Sequence, residues 1–462
     1  MASTIKVNNI QNQCGANIIN ESANTITIGA SGDTVTLASG ASQTGFGRTG
    51  TVNWDTTAKT SAFTAVSGNG YFVNTTSGAI TVTLPASPSA GDIVAVKDYA
   101  NTWATNNVTI ARNGSNIGGV ADNLTLSTAQ QSVTFVYVDA TQGWLATNDS
   151  TSAAIPVKYV AATGGTVITC GDFKTHIFTG PGTFCVSCAG NSAGSNTVDY
   201  MVVAGGSGGG KASSGGGGAG GFRLAVTTTP QSNPLNGSAL PVSVTAYPIA
   251  VGSGGSGGSP GCSSSDVTKG SNSTFSTITS AAGGAGGGPC GSTGGSGAGG
   301  EANGTGAAGN TPPTSPPQGN PGGNGRCQSV PAGGAGGGGG GGGAAGVNST
   351  PGSGNPGGAG GAGSYLPDAF IGPTAPSYGE SGPVGSTRYF AGGGGGGSYI
   401  NAGPSAGGVG GGGNGSGSPG PSATNASTNM GGGGGGGFHP GGLNGAGSNG
   451  GSGIVMIRYK YQ

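Results

Sequence analysis

The chain has 462 residues, room for about three average domains, but only 33% of them are hydrophobic and 6% charged, so any packed core must be concentrated in part of the sequence. Fourteen basic and fourteen acidic side chains cancel to a net charge of zero. That balance excludes the electrostatic footprint of a nucleic-acid-binding protein or of one drawn to an anionic membrane.

The opening Met1–Asn9 shows no basic segment followed by an apolar run, and no stretch approaches the roughly eighteen apolar residues of a membrane span. Synthesis without a signal peptide and no membrane insertion are therefore expected. Seven cysteines, at 14, 170, 185, 188, 262, 290 and 327, are odd in number and scattered; they read as reduced thiols rather than a disulfide framework. Residues 1–50 carry short alternations, Thr25–Ile28 and Thr34–Leu37, broken by Gly29, Gly32 and Gly40. Such strands bury too little to stand alone and predict an attachment or fibre segment that self-associates or docks.

Residues 51–152 predict a β-sandwich or barrel module. Apolar or alternating segments at Ala79–Leu84, Asp92–Lys97, Asn107–Ile110, Asn123–Leu126 and Ser132–Val138 are separated by Pro85, Pro88, Gly91, Asn113-Gly114 and Gly143, with no helical period. Trp54, Trp103 and Trp144 all fall here, and at least two are expected in the core because aromatic burial is an efficient stabiliser of a small domain.

A glycine-rich unit spans 153–462. Strands are predicted within 155–203, at Thr166–Thr169, His176–Thr179, Gly182–Ser187 and Val198–Val203; others follow at Gly221–Val226, Leu240–Val251 and Ser273–Ile278, and the last at 454–461. Of 111 glycines, 89 lie at or after Met201, in runs such as Gly336–Gly343, Gly392–Gly397 and Gly431–Gly437. A disordered glycine tail has no reason to finish on an apolar strand, so residues 204–453 read as an insertion into one sandwich closed by Ile454–Tyr461.

Ordering each backbone residue costs about 1–2 kcal/mol, and glycine offers no side chain to offset it. Collagen is excluded because the runs lack glycine at every third position with proline between. A polyglycine II-type helix has three residues per turn and no internal hydrogen bonds, so it presents every N–H and C=O to its neighbours. Each bond between helices returns roughly 0.5–1.5 kcal/mol, so bundled runs are ordered where an isolated run is not. An eight-residue run would span about 25 Å, with Ser, Asn and Pro breaks as turns. A flexible linker is the alternative that composition alone allows.

Few motifs point to chemistry. Gly205–Lys211 fits a phosphate loop up to its lysine, but Ala212 stands where the magnesium-binding hydroxyl belongs and glycine follows instead of a helix. Cys185 and Cys188 have half-zinc-site spacing without a second pair, and His176 and His439 are the only histidines. No catalytic, cofactor or metal residue is assigned, and no enzyme activity is expected. Paired carboxylates for cleaving polysaccharide are the enzyme alternative, yet from Met201 onward the only acids are Asp266, Glu301, Asp368 and Glu380.

The stronger functional signal is Gly363–Ile400, where aromatic and aliphatic residues stand among glycine and proline. Tyr389, Phe390, Tyr399 and Ile400 are expected to staple the lattice edge to the β core. Tyr365, Leu366, Phe370 and Tyr378 are expected to be exposed and to contact a receptor.

Taken in order, Thr179–Phe184, Val198–Gly206, Gly215–Arg223, Gly270–Phe275, Tyr389–Gly394 and Gly451–Tyr459 resemble the glycine-rich domain of tail fibre and adhesin proteins of tailed bacteriophages, particularly marine ones. Ser3–Ile10 resembles the start of many marine-phage virion proteins. The resemblance implies a non-enzymatic, all-β, homotrimeric fibre in the virion. Its N-terminus would dock on other tail proteins, and its distal glycine-rich domain would meet a host surface receptor, a glycan or an outer-membrane protein. A purely structural capsid or baseplate fibre and a polysaccharide-degrading tailspike are the alternative readings.

Overall fold

The structure, a computed structural model, describes residues 9–11, 17–22, 25–28, 52–149, 157–227, 233–259, 266–288, 291–329, 332–350, 356–372, 377–385, 387–399, 402–417, 420–438 and 445–462. The chain divides into two compact units, Met1–Ile155 and Pro156–Gln462. Both are built of strands. Among the described residues the single α-helix is one turn, Asp368–Ile371, and no helix is long and apolar enough to cross a membrane.

In the first unit, Asn9–Gln11, Asn17–Ser22 and Thr25–Ile28 form a small antiparallel sheet; the alternation at Thr34–Leu37 lies outside the described residues. The module that follows is a sandwich with open edges, not a barrel. One sheet has the order Leu124–Leu126, Val108–Ala111, Ile80–Thr83, Phe63–Thr64, and the other the order Gly143–Asp149, Ser132–Asp139, Ile93–Asp98, Asn69–Val73, Asn53–Lys59. From Asn53 to Ala111 successive strands alternate between the sheets, so neighbours within a sheet are two elements apart and run parallel. The sequence gives no sign of this winding, because half-buried strands alternate in the same way whichever direction their partners run. Trp103 and Trp144 are fully buried, and Trp103 Nε1 donates to the Val73 carbonyl at 3.1 Å. Trp54 instead lies on an edge strand, 38% exposed, with its ring 5.0 Å from that of Phe72.

In the second unit the last strand, Ile454–Lys460, is central. It pairs antiparallel with Phe173–Phe178 on one side and Thr197–Val203 on the other, in a sheet completed by Thr166–Cys170, Phe222–Ala225 and Leu240–Pro241. Val160–Thr163, Gly182–Ala189, Ala246–Ala250, Ser273–Phe275 and Ile278–Ser280 form the facing sheet. Alternate residues of the central strands serve two cores: Tyr200, Val202, Val455 and Ile457 meet Phe184 and Phe275 between the sheets, while Met201, Val203, Ile454 and Met456 face the other way. Burial on both faces explains why Val198–Val203 and Ile454–Ile457 are apolar almost throughout.

The second face is covered, among the described residues, by 364–372, 377–385 and 387–390, a three-stranded sheet of Ser364–Pro367, Thr387–Phe390 and Glu380–Ser381 with the turn Asp368–Ile371. Leu366, Phe370, Ile371 and Phe390 are fully buried against Phe222, Met201 and Met456. The expectation that Leu366 and Phe370 are exposed is corrected: they are core residues, 0% exposed. Tyr378 packs partly on the same core, and Tyr365 lies half-buried with its ring 5.3 Å from that of Tyr389.

Candidate functional site

The glycine runs are ordered rods with a hydrogen-bond period of three. The amides of Gly216 and Ala219 donate to Gly337 and Gly340, those of Gly217 and Gly220 to Gly434 and Gly431, and those of Gly218 and Gly221 to Gly284 and Ala281, at 2.8–3.1 Å. Three successive residues therefore address three different neighbours, which is what three residues per turn requires. The same cycle runs through Gly336–Gly341, whose amides reach Gly397, Gly300, Val347, Gly394, Gly297 and Ala344 in turn. None of Gly215–Gly221 has a left-handed φ; glycine is required here by proximity. A Cβ on Gly217 would stand 2.1 Å from the Ser207 carbonyl oxygen, and one on Gly339 2.0 Å from that of Gly217.

This packing admits only small side chains to the lattice interior, such as the buried Ala219 and Ala298 and Ser207, whose hydroxyl donates to the Gly283 carbonyl at 2.5 Å. Larger side chains are confined to the turns. At the sheet end, rods run directly into strands at Val203, Phe222 and Ile454. At the opposite end a chain of backbone bonds marks one level: Ala212 to Gly445, Ser213 to Gly437, Ala302 to Ser213, Gly397 to Ser214 and Gly336 to Gly397. From that level project the turn at Lys211–Ser213, the turn at Glu301–Gly304 and the hairpin of Arg326–Ser329 with Ala332–Ala335. His439 and Ile400 lie outside the described residues.

Two clefts open beside the turn Glu301–Gly304. One, of about 300 Å³, is lined by Asn303, Gly304, Thr305, Asn324, Gly325 and Arg326. The other, of about 110 Å³, lies among Lys211, Ala212, Ser214, Val267, Gly287, Gly288 and Glu301. The Ser214 hydroxyl is buried and has no hydrogen-bond partner among the described residues.

The residues proposed from sequence as receptor contacts sit elsewhere. Tyr365, Leu366, Phe370 and Tyr378 are all on the covering segment over the sheet, and the structure does not gather them into an exposed patch. Phe390, expected as a staple, is buried in the core with Phe222 and Met201; Tyr389, expected as another, is buried instead against Tyr365 and Gly382 within the covering segment, and burial pushes its phenol above its ordinary pKa. Glu380 of the same segment accepts the amides of Gly410 and Gly411 at 2.8 and 2.9 Å, pinning a turn at the sheet end of the lattice. Sequence reasoning weighed Lys211 only as the lysine of an incomplete phosphate loop and Glu301 only among the acids, and passed over Arg326; the available signal was that each interrupts the glycine between runs of rod length. Gly205–Lys211 is a rod ending in a turn, and Cys185 and Cys188 lie on the strand Gly182–Ala189, where no three His, Cys, Asp or Glu side chains converge among the described residues.

Fold and site together define an all-β protein that carries a lattice of polyglycine II-type helices on a sandwich, with turns at the free end. The glycine-rich domain family matches residues 179–460, and the chain belongs to that family. No curated protein matches the chain.

Proposed function

We propose that the chain is a tail fibre receptor-binding protein, an adhesin of a tailed bacteriophage that attaches the virion to its bacterial host without catalysis. The observation that carries this reading is the segregation of side chains. The lattice is a rigid stalk whose interior tolerates almost nothing but glycine, and chemically varied turns are held together at the end away from the sheets. Recognition residues on loops held by a rigid scaffold are the usual way such a surface binds. The motif resemblance supports the same assignment, and with it a homotrimer whose residues 1–50 dock on other tail proteins.

Adsorption competition tests the reading. Purified protein added to host cells should bind them and block adsorption of the parent phage, and replacing 301–304 and 326–335 by Gly-Ser turns should abolish both effects. Undiminished adsorption at saturating protein, or full competition by the altered protein, would contradict it.

A further inference from the structure

We infer that the cleft beside Glu301–Gly304 is a subsite for a carboxylate-bearing sugar residue, with Arg326 as the carboxylate anchor. The proposal rests on the receptor reading only for the source of that sugar, an acidic polysaccharide of the host envelope. The cleft itself supplies the chemistry. At about 300 Å³ it is at the small end of ligand sites, and its lining is mainly polar: two side-chain amides, a hydroxyl and a guanidinium, with apolar area only from the Thr305 methyl, the Arg326 stem and the glycines. Such a lining suits a ligand whose edge presents hydroxyls and a carboxylate, as a uronic acid does, rather than an acyl chain or an aromatic ring.

The donors are arranged by the backbone. Asn324 Oδ1 accepts the Gly306 amide at 2.8 Å, which leaves its NH₂ as the available group. The Asn324 amide is itself tied to Asn348 Oδ1 at 2.6 Å, and Gly325 donates to the Gly304 carbonyl at 2.9 Å, so opposite walls of the cleft are joined. Arg326 is exposed, and among the described residues no carboxylate lies within ion-pair distance of it. Its planar fork matches a carboxylate through two parallel hydrogen bonds, a geometry that a lysine does not offer.

Across the turn the smaller cleft adds the Lys211 ammonium, with Glu301 as acceptor for sugar hydroxyls. An acidic oligosaccharide would thus place one carboxylate on Arg326 and extend its next residue over the turn toward Lys211.

Isothermal titration of the full chain with trigalacturonate and with maltotriose tests the inference. The acidic trisaccharide should bind and the neutral one should not. Arg326→Gln should weaken binding by about tenfold or more, while Lys460→Gln, on the sheet, should leave it unchanged, and both variants should keep the parent's thermal unfolding. Equal affinity for the two sugars, no binding of trigalacturonate, or undiminished binding by Arg326→Gln would overturn it. The two readings fail separately: lost uronate binding with normal adsorption by Arg326→Gln phage would refute the receptor role of this cleft. Absent uronate binding with adsorption still blocked by the protein would refute the sugar assignment alone.

Discussion

Arg458 and Asp199 face each other across adjacent strands as a buried ion pair, Nη2 to Oδ2 2.7 Å, each side chain 4% exposed. The guanidinium carbon lies 4.6 Å from the ring centroids of both Phe173 and Phe370, and Asp199 also accepts the amide and hydroxyl of Thr227 at 3.0 and 2.9 Å. Phe370 of the covering segment therefore closes over a charge held at the centre of the sheet. Removing one partner leaves the other buried and uncompensated. Arg458→Ala should destabilise the unit by about 3–5 kcal/mol, whereas the double replacement Asp199→Leu with Arg458→Met should lie close to the parent. Urea midpoints of the three proteins check this.

The lattice makes a positional prediction about glycine. Gly217→Ala and Gly339→Ala place a methyl about 2 Å from a neighbouring carbonyl oxygen and should each cost about 1–3 kcal/mol or more, the range for overpacking a close-packed interior. Gly180→Ala and Gly403→Ala, where nothing lies within 4 Å of the added atom, should change stability by less than about 0.5 kcal/mol. Thermal unfolding of the four variants separates a lattice from a flexible linker, in which all four would behave alike.

His176 gives the sandwich a pH dependence. Its ring is fully buried, Nδ1 bonded to the Gly164 carbonyl at 2.6 Å and Nε2 to the Tyr459 hydroxyl at 3.1 Å. Burial lowers its pKa below the ordinary 6.5, against the opposing effect of the Gly164 bond, with nearby Lys174 lowering it further. Above 6.5 folded and unfolded chains both hold a neutral ring and the stability is fully present. As pH falls below 6.5 the unfolded chain takes the proton first, so stability declines until the depressed folded pKa is passed. His176→Gln should flatten this part of the profile, read as urea midpoints between pH 7.5 and 5.

Phe370→Ala tests the reassignment of the aromatic segment. As a core residue it should lose about 3–5 kcal/mol while leaving host-cell binding intact at a temperature where the variant stays folded. A receptor contact would show the reverse, with binding lost and the unfolding midpoint unmoved.

Much of this was legible in the sequence. The apolar Ile454–Ile457 could belong only to a sheet, which required the glycine before it to return the chain to Val198–Val203. Glycine with so few side chains could be ordered only by backbone bonds between rods. The fate of Leu366 and Phe370 was not legible, because an apolar residue among glycine and proline reads the same whether it faces solvent or folds back onto a strand. The exposed face of Met201 and Met456 that they cover exists only once the sheet has formed. Nor could sequence place Lys211, Glu301 and Arg326 at one end, since that depends on the direction of every rod.

Amide hydrogen exchange resolved to single residues measures directly the ordering of the glycine through bonds between rods. The amides of Gly216–Gly221 and Gly336–Gly341 should be protected to nearly the same degree as those of Thr197–Val203, because each is paired with a neighbouring rod. Exchange of those twelve amides at the rate of an unstructured peptide, while Thr197–Val203 remains protected, would contradict it.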